Sequence, residues 1–136
     1  MSQANSALLL VEDNEDDVFV MKRALKQAGI TNPMFVVTDG QMALDYLSGA
    51  GAFSDRDKFP LPSVLFLDLK LPYVQGFEFL AWMRLHRELS SIIAVILTSS
   101  AEPRDYEKAS ALGVKWYLVK PPTARALSDL FSSLDV

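Results

Sequence analysis

Five short apolar runs punctuate this chain, and none of them alternates polar with apolar residues. They are Ala7–Val11, Met34–Val37, Val64–Leu67, Ile92–Leu97 and Trp116–Val119. Runs this short and unbroken need cover on both faces, which a strand finds inside a parallel sheet flanked by helices. The segments between them carry helical spacing. Val18, Met21, Leu25 and Ala28 share one face of the first, and Ala43, Leu44 and Leu47 mark the second. Phe77, Leu80, Ala81 and Met83 to Leu85 mark the third. Glu102–Leu112 has Pro103 near its start and Gly113 just past its end, and Thr123–Leu134 follows Pro121 and Pro122, the usual placement of helix-flanking Pro and Gly. Strand and helix alternate five times, which predicts an α/β fold with a parallel sheet and crossover helices on both faces.

With 136 residues, half of them hydrophobic, the chain has the length and apolar content of one domain. We expect a single domain over 1–136, its core spanning about 7–134, with no output domain after Val136. The net charge of −4 and the lack of any Lys/Arg run argue against nucleic-acid binding. No cysteine is present, which excludes disulfides, thiolate metal sites and thiol catalysis. The N-terminus has no basic segment ahead of an apolar run, and no stretch is long enough to cross a bilayer. A cytoplasmic protein without membrane partners is expected. Gly49–Ser63, rich in Gly, Pro and charge, reads as an extended surface loop.

The polar residues that follow the strands carry the chemistry. Glu12, Asp13 and Asn14 follow the first, Thr38 and Asp39 the second, and Asp68 the third. Thr98, Ser99 and Ser100 follow the fourth and Lys120 the fifth. In a parallel α/β sheet these positions share one edge, where ligands bind at the point of strand-order reversal. With strand order 2-1-3-4-5, Glu12, Asp13 and Asp68 converge. Such a cluster must raise a pKa, recruit a cation, or both. All-oxygen ligation suits Mg²⁺. Lys120 adds a second positive charge and Thr98 a hydroxyl. Together these are the parts for phosphoryl transfer to a carboxylate.

Simpler readings hold elsewhere. Asp39 before Gly40 reads as a helix cap. Asp16 and Asp17 read as first-turn acids that complement the helix dipole, with Asp17 outside the site. His86, the sole histidine, falls late in helix three, away from the acidic edge.

The chain resembles the two-component receiver family. Leu8–Asp17 looks like that family's first strand and acidic pair, and Leu65–Gly76 like its phosphoacceptor strand and following loop. Leu97–Ala101 looks like its switch-threonine segment, and Tyr117–Pro121 like its aromatic and Lys-Pro segment. Four motifs in order, over about residues 7 to 134, make the resemblance specific. It implies a (βα)5 flavodoxin-like fold, three layers deep, with order 2-1-3-4-5. By the same resemblance Asp68 is the phosphoacceptor. Glu12, Asp13, Asp68 and the main-chain carbonyl of Lys70 hold Mg²⁺ or Mn²⁺, and Lys120 contacts the phosphoryl group. Thr98 moves toward that group, Tyr117 swings in behind it, and Pro121 follows a cis peptide. Glu12 stands where Asp is more frequent. The long loop and Lys120-Pro121-Pro122-Thr123 are similar to a subgroup of small, chemotaxis-regulator-like proteins, some partnered with phytochrome-type histidine kinases.

The implied function is phosphorelay signalling. The chain takes a phosphoryl group from a sensor histidine kinase and promotes its own phosphorylation and dephosphorylation, without turning over an external substrate. At about 100° per residue Phe19 and Val20 point outward from helix one, where the family docks its kinases. Trp116, Tyr117 and Tyr106 mark an output face on helix four, strand five and helix five, read by a second copy of the chain or a separate downstream protein. A phosphatase of the haloacid dehalogenase type uses similar residues but needs its nucleophile after strand one. A flavin module needs a phosphate-cradling loop where Glu12-Asp13-Asn14-Glu15 stands. A pseudo-receiver would have lost Asp68, Thr98 or Lys120.

Overall fold

A computed structural model describes residues 6–69, 76–99 and 103–134. The strands are β1 (Leu8–Val11), β2 (Met34–Val37), β3 (Val64–Asp68), β4 (Ile93–Thr98) and β5 (Trp116–Val119). The helices are α1 (Glu15–Gln27), α2 (Gly40–Ser48), α3 (Gly76–Arg84), α4 (Pro103–Ala111) and α5 (Ala124–Ser133). All four pairings are parallel, and the order is β2-β1-β3-β4-β5, as expected.

The unbroken apolar runs divide their residues between two cores. Leu9, Val11, Leu65, Leu67 and Ile96 face α2, α3 and α4, where Tyr46, Phe79 and Ala109 meet them. Their neighbours Leu8, Leu10, Val64, Phe66, Val95 and Leu97 face α1 and α5, against Met21, Leu25, Leu127 and Leu130. Adjacent side chains on a strand point to opposite faces. Continuous hydrophobicity is therefore what a sheet covered on both sides demands. Among the described residues no helix is long and apolar enough to cross a membrane.

Three expectations need correction. Leu85 does not belong to the buried face of α3: the helix ends at Arg84, and Leu85 is 83% exposed. His86 likewise lies beyond α3, half-buried, its Nδ1 2.8 Å from the Trp82 carbonyl oxygen.

The third correction concerns residues 49–63, which are packed rather than extended. A 3-10 turn forms at Gly51–Phe53. Phe53 and Phe59 lie against Tyr46, with ring centroids 5.1 and 6.0 Å away. The buried Tyr46 hydroxyl donates to the Pro60 carbonyl at 2.8 Å. Helix α2 ends on Gly49 in the left-handed region (φ 70°), with Ala50 N–H bonded to Asp45 O and Gly49 N–H to Tyr46 O, a Schellman closure. Arg56 then completes that end. Its guanidinium donates to the carbonyls of Tyr46 (2.8 Å), Leu47 (2.9 Å) and Phe59 (3.1 Å).

Arg56→Ala removes all three bonds and leaves partly buried carbonyls without a charged donor. We expect a loss of about 1–3 kcal/mol in urea unfolding. An unchanged midpoint would show that water substitutes fully for the guanidinium.

Candidate functional site

In-register pairing assembles the site at the carboxyl ends of the strands. Val11 lies beside Val37 on one side and Leu67 on the other. Glu12, the next residue, continues the ladder by donating its amide to Val37 O at 3.0 Å, and its side chain is 1% exposed. Asp68 and Thr98 are the last residues of β3 and β4, inside their strands rather than beyond them. Asp68 pairs with Leu97, and Thr98 with Val119. Lys120 follows β5, its amide donating to Thr98 O at 2.7 Å, and the Lys120-Pro121 peptide is cis.

The centre of the site is the Lys120 ammonium. It donates to Glu12 Oε1 at 2.5 Å, Asp68 Oδ2 at 2.7 Å and Asp17 Oδ2 at 3.0 Å. Burial alone would lower the lysine's pKa, but the hydrogen bonds to Asp68, Glu12 and Asp17 outweigh it and hold the group above its ordinary value. Three carboxylates around one amine thus favour its charged form. Burial pushes the Glu12 carboxyl above the usual carboxylate range; its hydrogen bond from Lys120 opposes that shift, and the nearby Asp68 charge adds to it.

Glu12, Asp13 and Asp68 each offer an oxygen within 4.8 Å of the others. Asp13 is exposed at the mouth of the cluster, whereas Glu12 and Asp68 are buried. Counting Asp17, four carboxylates face one ammonium, a formal charge of −3. Hard oxygen donors in excess negative charge fit a small divalent cation. Lys70, expected to add a main-chain carbonyl, lies outside the described residues.

Asp17 is the residue that the sequence reading left out of the site. Asn14 caps α1 by accepting from the Asp17 amide at 3.1 Å. That cap holds the first turn over the sheet edge and carries the Asp17 carboxylate to Lys120. The available signal was the helix starting directly at the acidic edge, so that its first-turn acids overhang it. Asp39 is the cap it was expected to be, accepting from Met42 N at 2.7 Å.

The outlying positions are mixed. Phe19 is 65% exposed on α1, but Val20 is half-buried rather than turned to solvent, because its place on the helix is nearer the packed face. Tyr117 is half-buried and packs edge-on against Tyr106, centroids 4.3 Å apart, its hydroxyl donating to Tyr106 O at 3.0 Å.

A parallel five-stranded sheet with an acidic cluster and a half-buried lysine at its carboxyl edge is the architecture of a signalling receiver. The response regulator receiver domain model matches residues 8–132, and the chain belongs to that family. It is 33% identical over 130 residues to response regulator Rcp1 of Synechocystis sp. (strain ATCC 27184 / PCC 6803 / Kazusa), covering 96% of this chain and 84% of that protein. The bacteriophytochrome response regulator RtBRR superposes with a TM-score of 0.85 at 40% identity, over 96% of this chain and 78% of that one. The Mn(2+)-bound form of response regulator Rcp1 superposes with a TM-score of 0.77 at 29% identity, over 95% and 91% of the two chains. The acidic cluster and the metal-bound neighbour fit divalent-cation binding at this edge.

Asp13→Ala removes an oxygen donor from the cluster, so Mg²⁺ affinity should fall by about tenfold or more, measured by calorimetric titration. Asp17→Ala, outside the three-residue cluster, should have a smaller effect. Equal losses would mean that the cation sits over α1 rather than between β1 and β3.

Proposed function

We propose that the chain accepts a phosphoryl group on Asp68, in a reaction dependent on Mg²⁺ or Mn²⁺, and passes the signal on through a change of shape. The observation that carries this reading is the 2.7 Å contact between Lys120 Nζ and Asp68 Oδ2 within a cluster of acidic groups. A charged lysine held against the acceptor carboxylate is ready to bind phosphoryl oxygens, and charge-assisted hydrogen bonds of this kind are strong. The Thr98 hydroxyl, at the end of the adjacent strand, is a second donor. In the transfer an Asp68 oxygen bonds to phosphorus as the phosphorus–nitrogen bond of a phosphohistidine breaks, and the imidazole leaves with the electron pair. Glu12, Asp13 and Asp68, with the Lys70 carbonyl, would hold the cation, which supplies positive charge against the transferring phosphate.

The phosphodonor in this reading is a sensor histidine kinase, and the bacteriophytochrome regulators among the structural neighbours favour a phytochrome-type one. Phe19, with Val20 at its margin, would be the docking anchor on α1. On the far side, Tyr117 and Tyr106 link β5 to α4, and Val119 is 50% exposed. Movement of Thr98 toward a phosphoryl group would let Tyr117 turn inward and alter the α4–β5–α5 face. A second copy of the chain or a downstream protein would read that change.

Asp68→Asn should abolish Mg²⁺-dependent labelling by acetyl phosphate, read by intact-protein mass spectrometry, while the fold persists. Labelling of the variant at the normal rate would overturn the assignment. Phe19→Ala should slow transfer from the kinase about tenfold, the scale of one interface anchor, and leave acetyl-phosphate labelling intact. A parallel loss with both donors would assign Phe19 to folding instead.

A further inference from the structure

The acidic cluster occupies one edge of the sheet. At the opposite edge, where β4 and β5 begin, a cavity of about 420 Å³ opens in the seam between the carboxyl ends of α3 and α4. Met83, Leu112 and Trp116 are among its apolar walls, and its charged lining is Arg84 and Lys115, with no acid. Concave sites of this size, with apolar walls and a few placed polar groups, are where small ligands bind.

Two observations indicate what would fill it. Both lining charges are positive and neither is neutralised. Arg84 and Lys115 form no ion pair with any described residue, in a chain whose acids outnumber its Lys and Arg by 17 to 13. Arg84 is also held in place, because its guanidinium donates to the carbonyl of Ala111, the last residue of α4. The three carbonyls before it are taken as well. Leu112 N–H donates to Lys108 O and Ala109 O, Val114 N–H to Ala109 O and Gly113 N–H to Ser110 O. The partial negative charge that a helix carboxyl end turns on an anion is thus met within the fold. A guanidinium has five N–H donors, and Arg84 uses one atom, Nη1, on a described acceptor.

A solvated surface lysine is ordinary, and an apolar crevice alone would be an imperfectly packed seam. A fixed guanidinium, a lysine and a half-buried indole on one cavity are more than either. We propose that this cavity binds a small amphipathic carboxylate, its acid group on Arg84 and Lys115 and its apolar body against Met83, Leu112 and Trp116. The unpaired cations select an anion, the planar fork of the arginine suits a carboxylate, and the walls select an apolar body. The site joins α3 to α4 and is independent of the chemistry proposed for Asp68.

The probe is phenylbutyrate, with phenylbutylamine as the same body bearing the opposite charge, followed through the amide and indole N–H signals in NMR. The Trp116 indole signal should move. That of Trp82, which packs against Phe79 and His86 outside the cavity, should not. A dissociation constant of about 1 mM is expected for a ligand of this size, and the amine should bind about tenfold more weakly or not at all, because the lining repels it. Lys115→Gln should weaken phenylbutyrate binding about two- to fivefold, the scale of one exposed ion pair, and Arg84→Gln about fivefold or more. Lys115 is exposed, so its replacement keeps the test decisive if Arg84→Gln disturbs α4. Equal binding of acid and amine, a static Trp116 signal, or unchanged affinity in Lys115→Gln overturns the proposal. So does a doubled mass in light scattering without ligand that Lys115→Gln abolishes, since a second copy of the chain would then fill the cavity.

Discussion

Parallel pairing is the constraint on which the rest of this molecule depends. Five strands that all run one way bring all their carboxyl ends to one edge, and each return passes across a face of the sheet. The faces must then be apolar and the edge is left for polar residues. Glu12, Asp68, Thr98 and Lys120 belong to four different strand ends and are distant in sequence, yet the ladder places them side by side.

Lys120 supplies the electrostatic counterpart. Glu12 and Asp68 are buried acids, and burying a carboxylate without a partner is costly. The ammonium satisfies both and reaches Asp17, so β1, β3, α1 and the end of β5 are tied at a single atom. It leaves the cluster strongly negative. The same arrangement that stabilises two buried carboxylates thus leaves an excess of negative charge that fits a divalent cation.

Much of this was legible in the sequence because two-sided burial leaves a plain mark. Runs such as Leu8–Val11 and Val64–Leu67 cannot be amphipathic, and the polar residue ending each run marks the sheet edge. What was not legible depended on side-chain reach and on local closure. Asp17 looked like a dipole-complementing acid because the Asn14 cap that turns it toward Lys120 exists only once the helix start is in place. Leu85 kept the apolar character of α3 past the point where the helix stops. The segment 49–63 looked like solvent-exposed chain because Gly, Pro and charge dominate it, while Phe53, Arg56 and Phe59 do the packing.

The place of β3 in the sheet has a further consequence for hydrogen exchange. It is the central strand, paired on both sides and buried throughout, whereas β5 pairs on one side and ends in an exposed valine. Amide protons of a doubly paired central strand escape only when the whole domain opens, and those of an edge strand escape through smaller, cheaper openings. On that principle the proposed acceptor sits on the strand expected to exchange more slowly, and Tyr117 on the edge strand expected to exchange faster.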